Sequence, residues 1–269
     1  MAKITYHDGG DLWDVVKASV DAEFQHLAII QDVHVGHPAF RKKAFEKFVA
    51  YITEKEALWI YNGDGPENAT RFSVGDSNEQ LMTVNEQMKY LYGILEPIKD
   101  RCIGYNTGNH DERTKKQSDF DFSAELADRL GIRYSGYESF SIISNRDERD
   151  GGTAYSVYSC HSGSGHKNAG LALNVMESNW SWMENIDIKV KGHDHQVGVI
   201  PSASLRLDFA NKCVRERVVW LACPGSFLGR AKTYAGKKPY KPAPPIYYSM
   251  LLDMRKGKKK VLPIQHDLD

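Results

Sequence analysis

Three short apolar runs in the first half of the chain each end abruptly in polar residues: HLAIIQD at 26–32, ALWIYNGD at 57–64 and RCIGYNTGNHDE at 101–112. Apolar runs of this length without alternation are the pattern of strands buried on both faces, as in parallel sheets. Between them the period changes. Phe40, Phe45, Phe48, Val49 and Ile52 recur at helical spacing within 38–56, a segment opened by Pro38, which a first helical turn accepts. A second helix is predicted over 78–98. Repeated strand-to-helix passes predict an α/β fold.

Residues 1–25 read as a polar lead-in of helical character. In the second half, ESFSIISN and TAYSVYSCH flank NRDERDGG as two arms of a hairpin with a charged tip. A helix is predicted over 169–182, with Met176, Trp180, Trp182 and Met183 as packing positions. The stretches 187–195, 197–207, 213–226 and 246–254 read as strands, in part antiparallel. Lys258, Lys259 and Lys260 mark a turn before a final strand. The run RAKTYAGKKPYKPAPP at 230–245 mixes Lys and Pro in a way no regular element accommodates, and predicts an exposed basic loop. There is no internal repeat or compositional break, so a single domain over 1–269 is expected.

With 269 residues, 41% hydrophobic and 26% charged, the chain can bury a full core. Lys and Arg number 35 and Asp and Glu number 35, so the net charge is zero, whereas a generic polyanion binder is basic. Any contact with nucleic acid must then come from a local patch or a bound metal. Arg230, Lys232, Lys237, Lys238 and Lys241, interleaved with Tyr234 and Tyr240, form such a patch, although a solvated loop is the simpler reading. Cys102, Cys160, Cys213 and Cys223 form no CxxC pair and read as reduced, mostly buried thiols. No apolar stretch has the length of a signal peptide or membrane span, so a cytoplasmic, non-membrane protein is expected.

The histidines carry the chemistry. His34, His110, His161, His193 and His195 stand in polar or Gly-bounded junctions at predicted strand ends. In Asp32-Val33-His34 and again in His193-Asp194-His195, two potential ligands lie two apart, and the period of a strand would aim both at one point. Gly63-Asp64, Gly108-Asn109-His110 and His161 add a carboxylate, an amide oxygen and further imidazoles. Imidazole and carboxylate without thiolate suit manganese, iron, zinc or similar divalent ions. One tetrahedral ion takes about four ligands. The set offers more, and two ions sharing a carboxylate is the economical reading. Such a pair, about 3.5–4 Å apart, activates a bridging water and clamps the attacking and leaving oxygens of a phosphoryl transfer. Phosphoester hydrolysis is the natural reaction.

In these motifs the chain resembles the calcineurin-like metallophosphoesterases, whose blocks run DxH, GDxx(D/E), GNH(D/E), a lone His and GHxH. The sequence carries them in that order as Asp32-Val33-His34, Gly63-Asp64-Gly65-Pro66-Glu67, Gly108-Asn109-His110-Asp111, His161 and Gly192-His193-Asp194-His195, with a family-like Cys223-Pro224-Gly225-Ser226 turn beyond. The resemblance implies a four-layer αββα sandwich of two mixed β-sheets flanked by helices. It implies that Asp32, His34 and His195 hold one ion, that Asn109, His161 and His193 hold the other, and that Asp64 bridges them. His110 is then a catalytic residue that stabilises charge or protonates the leaving oxygen, with Glu67 orienting it. The ions expected are two divalent cations, manganese first, with iron, zinc, nickel or magnesium as alternatives.

The implied activity is hydrolysis of a phosphate ester by metal-activated hydroxide, with a nucleic-acid or nucleotide phosphodiester favoured as substrate. The alternatives are a phosphomonoesterase on small metabolites or phosphoproteins and, in another class, a catalytically inert metal-binding adaptor. The phosphoprotein phosphatases of this superfamily follow their GDxxD block with a phosphate-gripping Arg, and here that position is Asn68. Arg71, Arg113 or a lysine is a possible substitute. The Gly- and Ser-rich stretch 161–167, which contains His166 and Lys167, is suited to an anionic substrate. Oligomeric state is left open.

Overall fold

The computed structural model describes residues 2–10, 13–73, 79–145, 152–161, 165–166, 168–229 and 244–269. Its elements, in order, are β1 (Lys3–His7), β2 (Val15–Val20), β3 (Phe24–Ile30), α1 (Lys42–Glu54), β4 (Leu58–Asn62), α2 (Val84–Leu95), β5 (Cys102–Asn106), α3 (Glu112–Ser118), α4 (Phe122–Leu130), β6 (Glu138–Asn145), β7 (Ala154–Cys160), α5 (Ala169–Asn179), β8 (Ile188–Lys191), β9 (Gly198–Asp208), β10 (Cys213–Cys223), β11 (Ile246–Asp253) and β12 (Val261–Asp267). They form two mixed sheets. The seven-stranded sheet runs β1-β2-β6-β7-β8-β10-β9 and the five-stranded sheet β12-β11-β3-β4-β5. Strands β3, β4 and β5 are parallel to one another, and so are β7, β8 and β10.

Successive side chains of the central strands enter different cores. Leu27 and Ile29 of β3, Leu58 and Ile60 of β4 and Ile103 of β5 share one cluster with Val16, Ala18 and Val20 of β2, Tyr155 and Val157 of β7, and Ile188 and Val190 of β8. That cluster joins the two sheets. The alternate residues Ala28, Ile30, Trp59, Tyr61 and Tyr105 instead meet Phe45 and Phe48 of α1, Leu91 and Leu95 of α2, and Phe122 and Leu126 of α4. Burial on both faces is why these strands lack polar alternation. Ala172, Leu173 and Met176 of α5 pack against Leu221 and Cys223 of β10.

Several expectations are corrected. Among its described residues the lead-in holds no helix. β1 and β2 pair antiparallel, because Val16, Ala18 and Val20 alternate into the inter-sheet core at the period of a strand. α1 begins at Lys42 rather than Pro38, since His37 and Phe40 first close turns onto His34 and His37 and Arg41 N–H is drawn to the Phe227 carbonyl. α2 begins at Val84, where Thr83 and Glu86 form a reciprocal capping box, and it ends in a 3₁₀ turn, Glu96–Arg101. Helices α3 and α4 were not anticipated; each is too short to show a long apolar period. Trp182 is 68% exposed and packs no helix, whereas Met176 and Met183 are buried. Cys213 is exposed, Cys102 and Cys223 are buried, and Cys160 lies between. The charged tip at 146–151 and the basic loop at 230–243 lie outside the described residues. Among the described residues no helix is long and apolar enough to cross a membrane.

Candidate metal centre

The singled-out residues follow the C-terminal ends of parallel strands, the edge where α/β sheets place their chemistry. Asp32 and His34 follow β3, Asp64 follows β4, and Asn109 and His110 follow β5; from the other sheet, His161 follows β7 and His193 and His195 follow β8. A belt of buried amides holds the two sets of strand ends together. Asn62 Nδ2 donates to Gln31 Oε1 at 2.9 Å, and Asn106 Nδ2 donates to Asn62 Oδ1 at 2.9 Å and to Ser159 Oγ at 2.8 Å. Gln31 Nε2 reaches the Lys191 carbonyl at 3.2 Å. Each link crosses from one strand to the next or from one sheet to the other, so the belt fixes the spacing of everything above it.

The segment 32–35 is not strand. It is zipped to 63–65 by backbone bonds from Asp32 N to Gly63 O, Val33 N and His34 N to Asp64 O, and Val35 N to Gly65 O. Its aiming device therefore differs from the strand period. Asp32, His34, Asp64, His193 and His195 all have positive φ, between 49° and 75°, which few non-glycine residues adopt and which tends to gather where a site over-determines the backbone. Left-handed residues on either side of Val33 turn both neighbouring side chains inward. Gly63 (φ +80°) and Gly108 meet at this crossing. A Cβ on Gly63 would lie 2.7 Å from Gly108 Cα, and one on Gly108 would lie 2.2 Å from Asp64 Oδ1.

The side chains converge on two loci. Nitrogen or oxygen atoms of Asp32, His34 and His195 lie within 4.8 Å of one another, as do those of Asp64, His161 and His193, and those of His34, Asp64 and His110. At the first locus His34 Nε2 and His195 Nε2 are 3.0 Å apart, with Asp32 Oδ1 3.3 Å from the latter. His34 Nδ1–H donates to Glu67 Oε2 at 3.1 Å, which leaves its Nε2 as a lone pair. At the second locus His161 Nδ1–H donates to the Asn62 carbonyl at 2.7 Å, and its Nε2 faces Asp64 Oδ2 at 3.2 Å. Asp64 stands between the loci, its other oxygen accepting from His110 N–H at 2.8 Å.

Electrostatics reflect that crowding. Burial disfavours the His161 imidazolium, but the Asp64 carboxylate outweighs it and pushes the pKa up to about 10. Asp64 is held well below the usual carboxylate range by His161 and His110, against its burial. Burial and the neighbouring His110 lower His34 to about 4, so it is a neutral imidazole, the form that ligates metals. The buried acceptor Asn109 Oδ1 has no hydrogen-bond partner, and His161 Nε2 meets only the Asp64 carboxylate. A buried polar atom left so costs about 1–3 kcal/mol. Imidazoles, carboxylates and an unpartnered amide oxygen gathered in this way fit divalent cations, which would displace the His161 proton.

Neither a protein-family model nor a curated protein sequence matches this chain. Twelve solved chains match its structure. One, titled vacuolar protein sorting 29 from Cryptosporidium parvum, is 14% identical, covers 91% of this chain and 100% of its own length, and superposes with a TM-score of 0.41.

Around the loci Glu67 serves more than one histidine. Glu67 meets His110 through its backbone carbonyl as well as its carboxylate. His110 Nδ1 donates to the Glu67 backbone carbonyl at 3.0 Å, and the carboxylate is closer to His34, at 3.1 Å, than to His110, at 3.4 Å. Asn68, at φ 45°, donates through Nδ2 to the carbonyls of His110 and Asp111 and to Thr114 Oγ1, so it shapes the 110–114 turn. Ser226 Oγ donates to the Asp32 carbonyl at 2.8 Å, which is the work of the 223–226 turn. Gly165 lies beside His193, and His166 N–H donates to Asp194 Oδ1 at 2.5 Å; residues 162–164 and 167 lie outside the described residues. The sequence assigns no role to Gln31, Asn62 or Asn106, and shows Asp111 only as the acidic end of the Gly108–Asp111 block. Asp111 accepts from Asp64 N at 2.6 Å, Gly108 N at 3.1 Å, Tyr61 OH at 2.8 Å and Ser123 Oγ at 2.9 Å. A signal did exist, since a polar residue closes each apolar run just before its ligand.

Proposed function

We propose that the chain is a metal-dependent phosphoric ester hydrolase acting with two divalent ions, on a four-layer arrangement in which the two sheets face each other and helices cover them. The observation that carries this reading is the pair of loci around Asp64, together with the buried Asn109 Oδ1, which finds no protein donor. Asp32, His34 and His195 would hold one ion, Asn109, His161 and His193 the other, with Asp64 shared. When bound, such ions supply an activated water and neutralise charge on the phosphoryl oxygens.

The remaining chemistry belongs to the protein. His110 Nδ1 is fixed as a donor by the Glu67 carbonyl, so its Nε2, 3.9 Å from Asp64 Oδ2, is the atom turned toward a bound ester. Once Nε2 has taken up a proton from solvent, it would give that proton to the leaving oxygen or donate a hydrogen bond to a charged one. Glu67 holds His34 in the tautomer that leaves Nε2 unprotonated. A phosphodiester of nucleic acid or a nucleotide is the favoured substrate. Asn68, in place of the arginine of phosphoprotein phosphatases, has its amide N–H₂ taken up by the 110–114 turn.

The test is hydrolysis of bis-p-nitrophenyl phosphate and p-nitrophenyl phosphate by protein stripped with chelator and reloaded with manganese. Faster turnover of the diester is expected. Preference for the monoester would favour a phosphomonoesterase, and no turnover of either would favour an inert metal-binding adaptor.

A further inference from the structure

One cation reaches the site from a direction that the ligand set does not use. Arg113, in the first turn of α3, directs Nη1 at the Glu67 carbonyl, 2.7 Å away, and at Glu67 Oε1, 3.1 Å away. Its Nη2 lies 2.8 Å from His110 Nε2. Because His110 Nδ1 already donates to the Glu67 carbonyl, Nε2 holds the lone pair and Arg113 is the donor. One side of the guanidinium is therefore anchored, and the other covers the imidazole atom that the proposed chemistry needs. Arg113 keeps 18% of its side-chain surface exposed and His110 15%, whereas Glu67 beneath them keeps 8%. A ligand can reach the pair from solvent.

In the contact between Nη2 and Nε2 an uncharged ring nitrogen atom accepts from a guanidinium. An anionic oxygen is a stronger acceptor for the same donor. We propose that Arg113 grips a phosphoryl oxygen of the bound ester: the oxygen replaces His110 Nε2 as the acceptor of Nη2, and His110 Nε2 is freed to face the leaving group. Glu67 anchors both ends of the arrangement, since its carboxylate also holds His34. The guanidinium and the first locus are thereby set at a fixed separation. The inference rests on the phosphoesterase reading for the identity of the ligand, but the grip itself concerns only an oxyanion beside His110.

The experiment titrates manganese-loaded wild type, Arg113→Met and Arg113→Lys with inorganic phosphate by calorimetry, with bound manganese measured on each. Arg113→Met should bind phosphate about tenfold or more weakly, the usual loss for a hydrogen bond to a charged group, with manganese content unchanged. Arg113→Lys should fall between, because an ammonium keeps the charge but loses the planar fork. Phosphate affinity within about twofold of wild type in Arg113→Met would overturn the grip. So would loss of manganese in both variants, which would make Arg113 only a strut for Glu67 and His34. Turnover of the diester is read separately. A wild type that binds phosphate through Arg113 yet hydrolyses no ester would retain the grip and remove the hydrolase reading.

Discussion

His161 shows how one residue's protonation couples to the whole site. Its folded pKa of about 10 lies above the ordinary 6.5, so in the metal-free protein it is an imidazolium beside Asp64 at neutral pH. A raised folded pKa contributes stability that is complete below 6.5 and is lost as the pH rises through about 10. Metal-free protein should therefore unfold at lower urea concentration at pH 9.5 than at pH 7, and manganese should remove that difference. A cation must also displace the proton. Apparent manganese affinity should rise by up to about tenfold per pH unit across this range, as manganese titrations at pH 6.5, 7.5 and 8.5 would read. His110 differs in that its ring is committed to Glu67 and Arg113. His110→Asn should keep its manganese and lose about 10²–10⁴ in kcat, the usual scale for a general acid. Loss of metal in that variant would place His110 among the ligands.

At the scale of elements, the loops after β4 and β5 depend on Asp111, a buried carboxylate with two backbone and two hydroxyl donors. Asp111→Asn turns an amide N–H₂ toward at least one of those donors and should destabilise the fold by about 2–4 kcal/mol, with manganese binding weakened alongside, by urea denaturation and metal titration. Thr83→Ala is the contrasting case. It removes the capping box of α2, away from the loci, and should cost about 1 kcal/mol with metal binding unchanged. The sequence disclosed these elements unevenly. The runs ending at Asp32, Asp64 and His110 were legible as strands because burial on both faces removes polar alternation. The aiming of Asp32 and His34 was not, because it comes from left-handed backbone at both residues, and positive φ at Asp or His leaves no periodic trace. β1 and β2 were hidden for a related reason: few alternating apolar residues sit among polar ones at a sheet edge.

At the scale of the molecule, ligands from two sheets must meet, and the amide belt makes the distance between them reproducible. Gln31, Asn62 and Asn106 each close an apolar run, so their positions were visible in the sequence, but their cross-sheet partners near Ser159 and Lys191 are distant in the chain and could not be paired from spacing. Asn106→Leu, near in volume, would leave Asn62 Oδ1 and the Ser159 carbonyl without their donor. It should destabilise by about 2–4 kcal/mol and lower manganese affinity although it touches no ligand. Unchanged affinity would show that the strand ends hold their spacing without the belt.

The central claim is that Asp64 stands between two cation sites built from both sheets. Anomalous diffraction at the manganese edge, from crystals of the reloaded protein, tests it most directly. The account predicts two peaks about 3.5–4 Å apart, one beside Asp32, His34 and His195, the other beside Asn109, His161 and His193, with Asp64 in contact with both. A single peak away from Asp64, or none at manganese concentrations that saturate any activity, would contradict it.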